Sequence, residues 1–593
     1  MAPQRWIDRF LVWRLKHLRT KTFILILSGV VGIIAGLAAV ILKVTVHRIQ
    51  HFFMAGAELD YAHILYIFLP LVGLFLTYTV AKFIFKDVGG HGIPDLLYNI
   101  SKKGSIIPKM HMYSRAVTSA ITVGFGGSVG LEAPIVVTGS AIGSNTGILM
   151  HLNAKKRTLL IGCGTAGAVS AIFGAPIGAV LFAVEVILME VSVGAFVPLL
   201  IASVTGSLTS MVLLGKDVMF SFTLHDEFLA AHAPLYVLLG VFTGVVSIYT
   251  VRSLMRTEKH IQKQRNPWMR ILYGGGALGL FIFVFPPIYG EGYTTLQALI
   301  DEKPLHLLSN SLFFAQNDSP YFLMGFLALV ILVKPIASSL TIGSGGSGGL
   351  FAPSLFIGGV AGFLFAFANN FLDWYIAVPL AHFTLVAMCG VMSGVQHAPL
   401  SAIFLIAEVT GGYELFIPLM LVSAISYSTT TYFERNSLYK QQLMDQGRYL
   451  PETKDEEVLG LINVKSIMES DLLPIHPDSL LKDLCDLVKL SKRNIFPVVD
   501  EEGILQGVVT LDDIRDIMFD REKQERLVVR SLMSNAPDHI SPTEGMQDVM
   551  DKFERTNAWN LPVVENGRYV GFVSKSRIFN VYRKKLIKQH QDV

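Results

Sequence analysis

The chain has 593 residues, 52% of them hydrophobic and only 16% charged, with a mean hydropathy of +0.50. A soluble chain carries about a quarter charged residues, and the deficit is uneven: 47 charged residues fall in the first 435 positions and 48 in the last 158. This excludes a wholly water-soluble protein and implies a membrane part followed by a soluble appendage, while the net charge of +3 leaves no broad basic face for a nucleic acid.

Residues 1–22 are basic, with Arg5, Arg9, Arg14, Lys16, Arg19 and Lys21, and lead into the uncharged run Phe23–Leu42. Twenty largely apolar residues span a bilayer and are too long for the core of a signal peptide; no cleavage site follows. Basic residues stay on the cytoplasmic side, so the N-terminus is expected there, in the plasma (inner) membrane. Further membrane-length runs are Ile64–Ala81, Pro234–Val251, Ile271–Gly290, Trp374–Ala407 and Leu415–Phe433, and Gly390, Gly394 and Pro399 split the Trp374 run into two helices. Between them, Gly89–Ile100, Ala116–Thr146, Ala166–Met189 and Pro335–Ala368 are Gly/Pro-rich and too broken for plain spans. Irregular backbone at membrane depth survives only where protein buries it or where it lines a polar path, so a pathway is expected there. Cys163 and Cys389 lie in apolar segments and, with Cys485, make no disulfide framework.

Gly124–Pro134 reads GFGGSVGLEAP and Gly343–Pro353 reads GSGGSGGLFAP, agreeing at 8 of 11 positions. Downstream, Ala175, Pro176, Ala179, Glu185 and Val186 match Ala398, Pro399, Ala402, Glu408 and Val409 at nearly the same offset, 223 residues against 219. Two related halves, each broken in the same place, are the pattern of a transporter or channel with its site between the halves. Three Gly-rich segments end in a helix-starting proline: Gly90–Pro94, Gly130–Pro134 and Gly348–Pro353. Their unpaired N–H groups and positive helix ends favour an anion held by backbone amides. Glu132, at one of these helix starts, is a tethered anion that can occupy the amide nest in place of the permeant ion, and protonation or displacement releases it. Its plain alternative is a helix-capping partner.

These residues resemble the signatures of the CLC family of chloride channels and chloride/proton exchangers, over roughly residues 20–445. The resemblance implies an all-α polytopic membrane protein with a CLC-type inverted-repeat domain at 23–445. It implies Glu132 as the gate and His91, Gly92, Ile93, Gly130, Gly349, Leu350, Phe351 and Tyr439 as the anion-binding set. Tyr439 lies in Asn436-Ser437-Leu438-Tyr439 and has an interfacial anchor as its alternative. His91 stands where the family usually has serine, so bicarbonate or fluoride competes with chloride as the expected anion; a ring turned away to bond a carbonyl is the plain reading. Ala133 replaces a usual glycine. Val186 replaces the glutamate that relays protons in the exchangers, so a passive anion channel is expected, with an anion/proton exchanger as the alternative. Glu185 and Glu408 are expected as structural hydrogen-bond partners. A homodimer in the lipid bilayer, with no required cofactor and no enzymatic activity, is implied as well.

After a linker at 446–461, residues 462–522 and 527–587 form a tandem repeat. Phe496-Pro497-Val498-Val499 and Gly507-Val508-Val509-Thr510 recur as Leu561-Pro562-Val563-Val564 and Gly571-Phe572-Val573-Ser574. The pair resembles cytoplasmic α/β CBS domains. That resemblance makes Thr510 and Asp513 a candidate adenine-nucleotide site; in the second copy Arg577 stands where Asp is needed, and a purely structural pair is the plain alternative. Such pairs also accompany magnesium transporters and intramembrane metalloproteases, but no His-Glu-x-x-His is present and the spans offer few acidic ligands for a metal.

Overall fold

The computed structural model describes residues 2–54, 62–87, 92–188, 193–215, 229–307, 319–411, 413–448, 459–460 and 462–591. The chain forms two compact units, 1–450 and 451–593. In the first, seven helices among the described residues are long and apolar enough to cross a membrane: Thr20–Phe53, Tyr66–Ile84, Phe196–Leu214, Ala230–Gln262, Pro267–Val284, Pro320–Gly343 and Phe351–Phe371. The run Trp374–Ala407 becomes two helices, Leu380–Gln396 and Pro399–Val409, with His397 left-handed (φ 56°) at the break.

Three spans escape a reading of hydropathy runs: Phe196–Leu214, Pro320–Gly343 and Phe351–Phe371, the last starting inside the stretch 335–368 that reads as too broken for a plain span. The hydroxyls of Phe196–Leu214 are satisfied inside the helix: Thr205 and Thr209 donate to carbonyls one turn earlier, Ile201 and Thr205, at 2.9 and 2.7 Å. Pro320–Gly343 carries Lys334 and Pro335 in its middle. Pro335 lies inside this helix, and the Gly/Pro-rich stretch breaks at 344–350, before the helix Phe351–Phe371.

The repeat is visible in packing. Glu132–Leu149 runs along Ala154–Phe173 in the first half, as Phe351–Phe371 runs along Leu380–Gln396 in the second. Small residues permit this closeness: a Cβ on either Gly139 or Gly164 would collide with the other's carbonyl oxygen.

In the second unit each copy builds an antiparallel hairpin, β1 (Ile495–Val499) with β2 (Leu505–Thr510) and β3 (Asn560–Glu565) with β4 (Arg568–Ser574). A bridging residue, Ile475 or Ile540, pairs parallel to Val498 or Val563. The copies exchange their leading segments: Glu469 pairs with Phe572 of the second copy and Ser534 with Val508 of the first. Val464 and Ile467 accordingly sit in the second core beside Phe553 and Val573, and Val529 sits in the first beside Phe496 and Val509. Each copy's core is therefore completed by residues that sequence order assigns to the other.

Candidate functional site

The two Gly-rich loops meet as a reciprocal pair. Gly130 N–H donates to the Gly349 carbonyl at 2.9 Å, and Gly349 N–H donates to the Gly130 carbonyl at 2.8 Å. These glycines are repeat mates, 219 residues apart. A Cβ on Gly349 would stand 2.9 Å from the Ala133 nitrogen, and one on Gly130 would collide with the Glu132 carboxylate. The pairing sets the starts of the helices Glu132–Leu149 and Phe351–Phe371 side by side. A third helix, Ile93–Lys102, starts beside them: Gly92 caps it at φ 65°, and a Cβ there would touch Ala133. Three positive helix ends thus face one small region, which is what a dehydrated anion requires.

Beside this junction lies a cavity of about 40 Å³, lined by Gly92, Ile93, Gly349, Leu350 and Tyr439, among others. A water needs about 10–15 Å³ by a comparable measure, so the space suits a small ion. Tyr439 is 4% exposed and its buried hydroxyl has no hydrogen-bond partner. Gly130 and Phe351 are not part of this lining: Gly130 is tied up in the loop pair, and the Phe351 ring packs on Phe173 and Phe182, with centroids 5.0 and 5.9 Å away. His91 falls outside the described residues.

Glu132 is 2% exposed, its Oε1 accepts the Tyr293 hydroxyl at 2.6 Å, and the carboxylate faces the backbone N–H groups of Glu132 and Ala352. Tyr293 belongs to a segment that carries no motif in the sequence. Residues 288–293 lie across the first Gly-rich loop, and besides the Tyr293 bond the Gly290 N–H donates to the Gly126 carbonyl at 3.5 Å. The Ile288 carbonyl accepts Ser128 Oγ at 2.7 Å and Lys334 Nζ at 3.1 Å, the Gly290 carbonyl accepts Lys334 Nζ at 2.9 Å, and Glu291 Oε1 accepts the Leu131 N–H at 3.2 Å. Lys334 is fully buried, over the Phe356 ring at 4.8 Å. The repeat offset is a usable signal for it, because Lys334 is 219 residues after Arg115.

Arg115 lines the small cavity and also a wider one of about 440 Å³, together with Asp87, Asp95, His111, Lys103 and Arg448. Asp87 takes His111 and Arg115, both at 3.1 Å. The His111 hydrogen bond, aided by Arg115 against partial burial, holds the Asp87 carboxyl below its ordinary value. Val186 is buried in the wide helical turn Ala183–Leu188 and does not line the small cavity.

In the second unit Thr510 and Asp513 bond each other. Thr510 N–H and Oγ1–H both donate to Asp513 Oδ2 at 2.7 Å, and Asp513 N–H returns to Thr510 Oγ1 at 3.3 Å. This is a helix capping box, and Ser574 plays the cap in the second copy, accepting the Arg577 N–H at 3.2 Å. Among the described residues no cluster of three or more His, Cys, Asp or Glu could hold a metal ion.

The sequence profile of the family described as "Voltage gated chloride channel" matches residues 72–431, and that of the CBS domain matches residues 464–520 and 529–584. "Chloride channel protein CLC-f" of Arabidopsis thaliana is 26% identical over 72% of this chain, and the match spans 60% of that relative's length. "H(+)/Cl(-) exchange transporter 3" of Homo sapiens is 25% identical over 87% of this chain and 72% of its own. The crystal structure of a slow cyanobacterial Cl-/H+ antiporter superposes with a TM-score of 0.62 at 20% identity, over 72% of this chain and 98% of that one. With its paired Gly-rich loops, buried carboxylate at a helix start and tandem C-terminal repeat, the chain belongs to the voltage gated chloride channel family and carries a CBS pair.

Proposed function

We propose that this chain exchanges chloride, or a similar small anion, for protons across the membrane. The observation that carries the reading is the setting of Glu132. Its carboxylate lies at the junction of the helix starts, held by the Tyr293 hydroxyl and facing the backbone N–H groups of Glu132 and Ala352, almost completely buried. Keeping a charge there, away from water, is expensive. A proton that neutralises it, or an anion that takes its place over the amides, releases it, so proton uptake and anion entry use the same side chain. The human relative named as an exchange transporter supports proton coupling over the passive channel expected from Val186.

The passive channel is the second reading, and Val186 favours it because the usual relay carboxylate is missing. Reversal potentials of the purified chain in liposomes under opposed anion and proton gradients decide between them. Exchange predicts uphill proton movement driven by chloride, abolished when chloride is withdrawn; a potential that follows the anion gradient alone makes the protein a channel.

The same reading takes the protein as a homodimer with one pathway per subunit, multi-pass in the plasma (inner) membrane, with the N-terminus and CBS pair cytoplasmic. Gly92, Ile93, Gly349, Leu350 and Tyr439 form the anion cradle, with His91 tuning it toward bicarbonate or fluoride. An adenine nucleotide at Thr510 and Asp513 would have to open their mutual capping bonds.

A further inference from the structure

The helix start that carries Glu132 serves a second carboxylate. Glu291 reaches it from the segment 288–293, and its Oε1 accepts the N–H of Leu131, the residue that caps the Glu132 helix. Two residues later in the same segment, Tyr293 holds Glu132 itself at 2.6 Å. One short segment thus binds both the amide in front of the gate and the gate.

We propose that Glu291 is a second tethered, proton-accepting carboxylate of the anion pathway, working beside Glu132 on the same helix start. The inference rests on Glu132 being the gate and deepens that reading. As a carboxylate, Glu291 occupies the Leu131 amide and withholds it from a passing anion. When water delivers a proton to Glu291, the carboxylate becomes a neutral acid with weaker hold on that amide, and the Leu131 N–H becomes available to the anion. Deprotonation to water restores the block. No other co-reactant is needed.

The position fits this work. Glu291 keeps some solvent exposure as a residue although its carboxyl group is enclosed, whereas Glu132 is almost completely buried. Lys334 anchors the segment immediately before it through the Ile288 and Gly290 carbonyls, and Gly292 turns the chain left-handed (φ 86°) immediately after it. Glu291 is therefore held on a fixed support and not on a free loop. The charged and titratable groups around it are Glu132, Tyr293, Lys43 and Lys334. The two lysines offset only part of the penalty from burial and from the nearby Glu132, which together push the Glu291 carboxyl up to about 8.

The test compares anion efflux from liposomes for wild type, Glu132→Gln, Glu291→Gln and the double variant, between about pH 4 and 10, a range that spans the ordinary Glu value of about 4.3 and the value of about 8 to which burial and the nearby Glu132 push the Glu291 carboxyl. The pH of each face is varied separately. If both carboxylates titrate in the pathway, Glu132→Gln keeps a pH-dependent remainder of severalfold, and the double variant loses it. A double variant whose pH profile matches that of Glu132→Gln overturns the proposal while leaving Glu132 as the gate. If Glu132→Gln is folded but inactive, the gate reading itself falls, and this inference with it. Should Glu291→Gln not assemble, Glu291→Asp in the Glu132→Gln background replaces it. Its shorter arm must move the midpoint of the remaining pH dependence, and an unmoved midpoint overturns the proposal.

Discussion

Glu185 and Glu408, repeat mates from the two halves, each cap the helix that begins the other's repeat. Glu408 accepts the N–H groups of Ile177 and Gly178 at 3.0 and 2.8 Å, and Glu185 accepts those of Leu400 and Ser401 at 3.2 and 2.8 Å, with the Ser401 hydroxyl at 2.6 Å. Negative charge at a helix start satisfies orphan N–H groups and the local dipole together. The pair is thus a reciprocal brace between the halves. Hydrogen bonds to a charged partner contribute about 1.5–3 kcal/mol, so Glu185→Ala or Glu408→Ala should destabilise the membrane unit by about 2 kcal/mol. Thermal unfolding in detergent reads this, and the chloride-to-nitrate permeability ratio should stay unchanged. A changed ratio at native stability would mean that the pair acts on the pathway.

The bond from Tyr293 to Glu132 gives a second prediction. Removing the phenol oxygen leaves Glu132 without its hydrogen-bonded partner on Oε1. A loss of about 1.4 kcal/mol corresponds to a tenfold change in occupancy. Tyr293→Phe should therefore raise resting anion efflux up to about tenfold, and Glu132→Gln should raise it further and remove most of its pH dependence. Reduced efflux in a folded Tyr293→Phe protein would show that the phenol contacts the ion and does not hold the gate.

Much of this site is legible in the sequence because the repeat marks it. Gly130 and Gly349 agree at a fixed offset, and close backbone approach leaves each no room for a side chain. Glu132 stands out as an acid at a helix start in an otherwise apolar stretch. Glu291 and Tyr293 carry no such mark, since their role depends on a non-repeated segment folding back over the first Gly-rich loop, a tertiary event without local periodicity. The exchanged segments of the CBS pair escape for the same reason. Val464 and Ile467 read as the start of the first copy, but their apolar faces are buried in the second.

A pH prediction comes from the soluble unit. Asp500 Oδ1 accepts the N–H groups of Ile504 and Glu502 at 2.8 and 3.1 Å, and Oδ2 accepts Gln506 Nε2 at 2.8 Å. The Ile504 bond foremost, against a small desolvation penalty, holds its carboxyl below the ordinary value. A folded-state value below the unfolded one contributes stability above the unfolded value, about 3.9 for Asp, and that stability is lost as pH falls through the folded value. In the full chain, the protection of the Ile504 amide against exchange, relative to its intrinsic rate at each pH, should therefore fall on acidification below about pH 4. In Asp500→Asn that protection should be lower at neutral pH and change little further with acid. An acid response identical in the two proteins would assign it to another group.

The last prediction concerns Tyr439. Its hydroxyl is buried, has no hydrogen-bond partner and belongs to a side chain that lines the small cavity between the helix starts. A buried hydroxyl left unpaired carries a penalty of about 1–3 kcal/mol, and a bound anion would remove it by accepting its proton. Two quantities should then move in opposite directions in Tyr439→Phe. Without chloride, the variant should unfold at the same temperature as wild type or higher, because a penalty has been deleted at constant shape. Chloride affinity should fall about tenfold, since a hydrogen bond to a charged group contributes about 1.5–3 kcal/mol, of which 1.4 kcal/mol is a factor of ten. Calorimetric titration of chloride into wild type and variant, paired with melting curves in chloride-free buffer, measures both. Equal chloride affinity in the two proteins would make Tyr439 a packing residue of the helix Leu438–Asp445. Lower stability without chloride would mean that its hydroxyl has a partner in the unliganded protein, and the anion would then have to displace it.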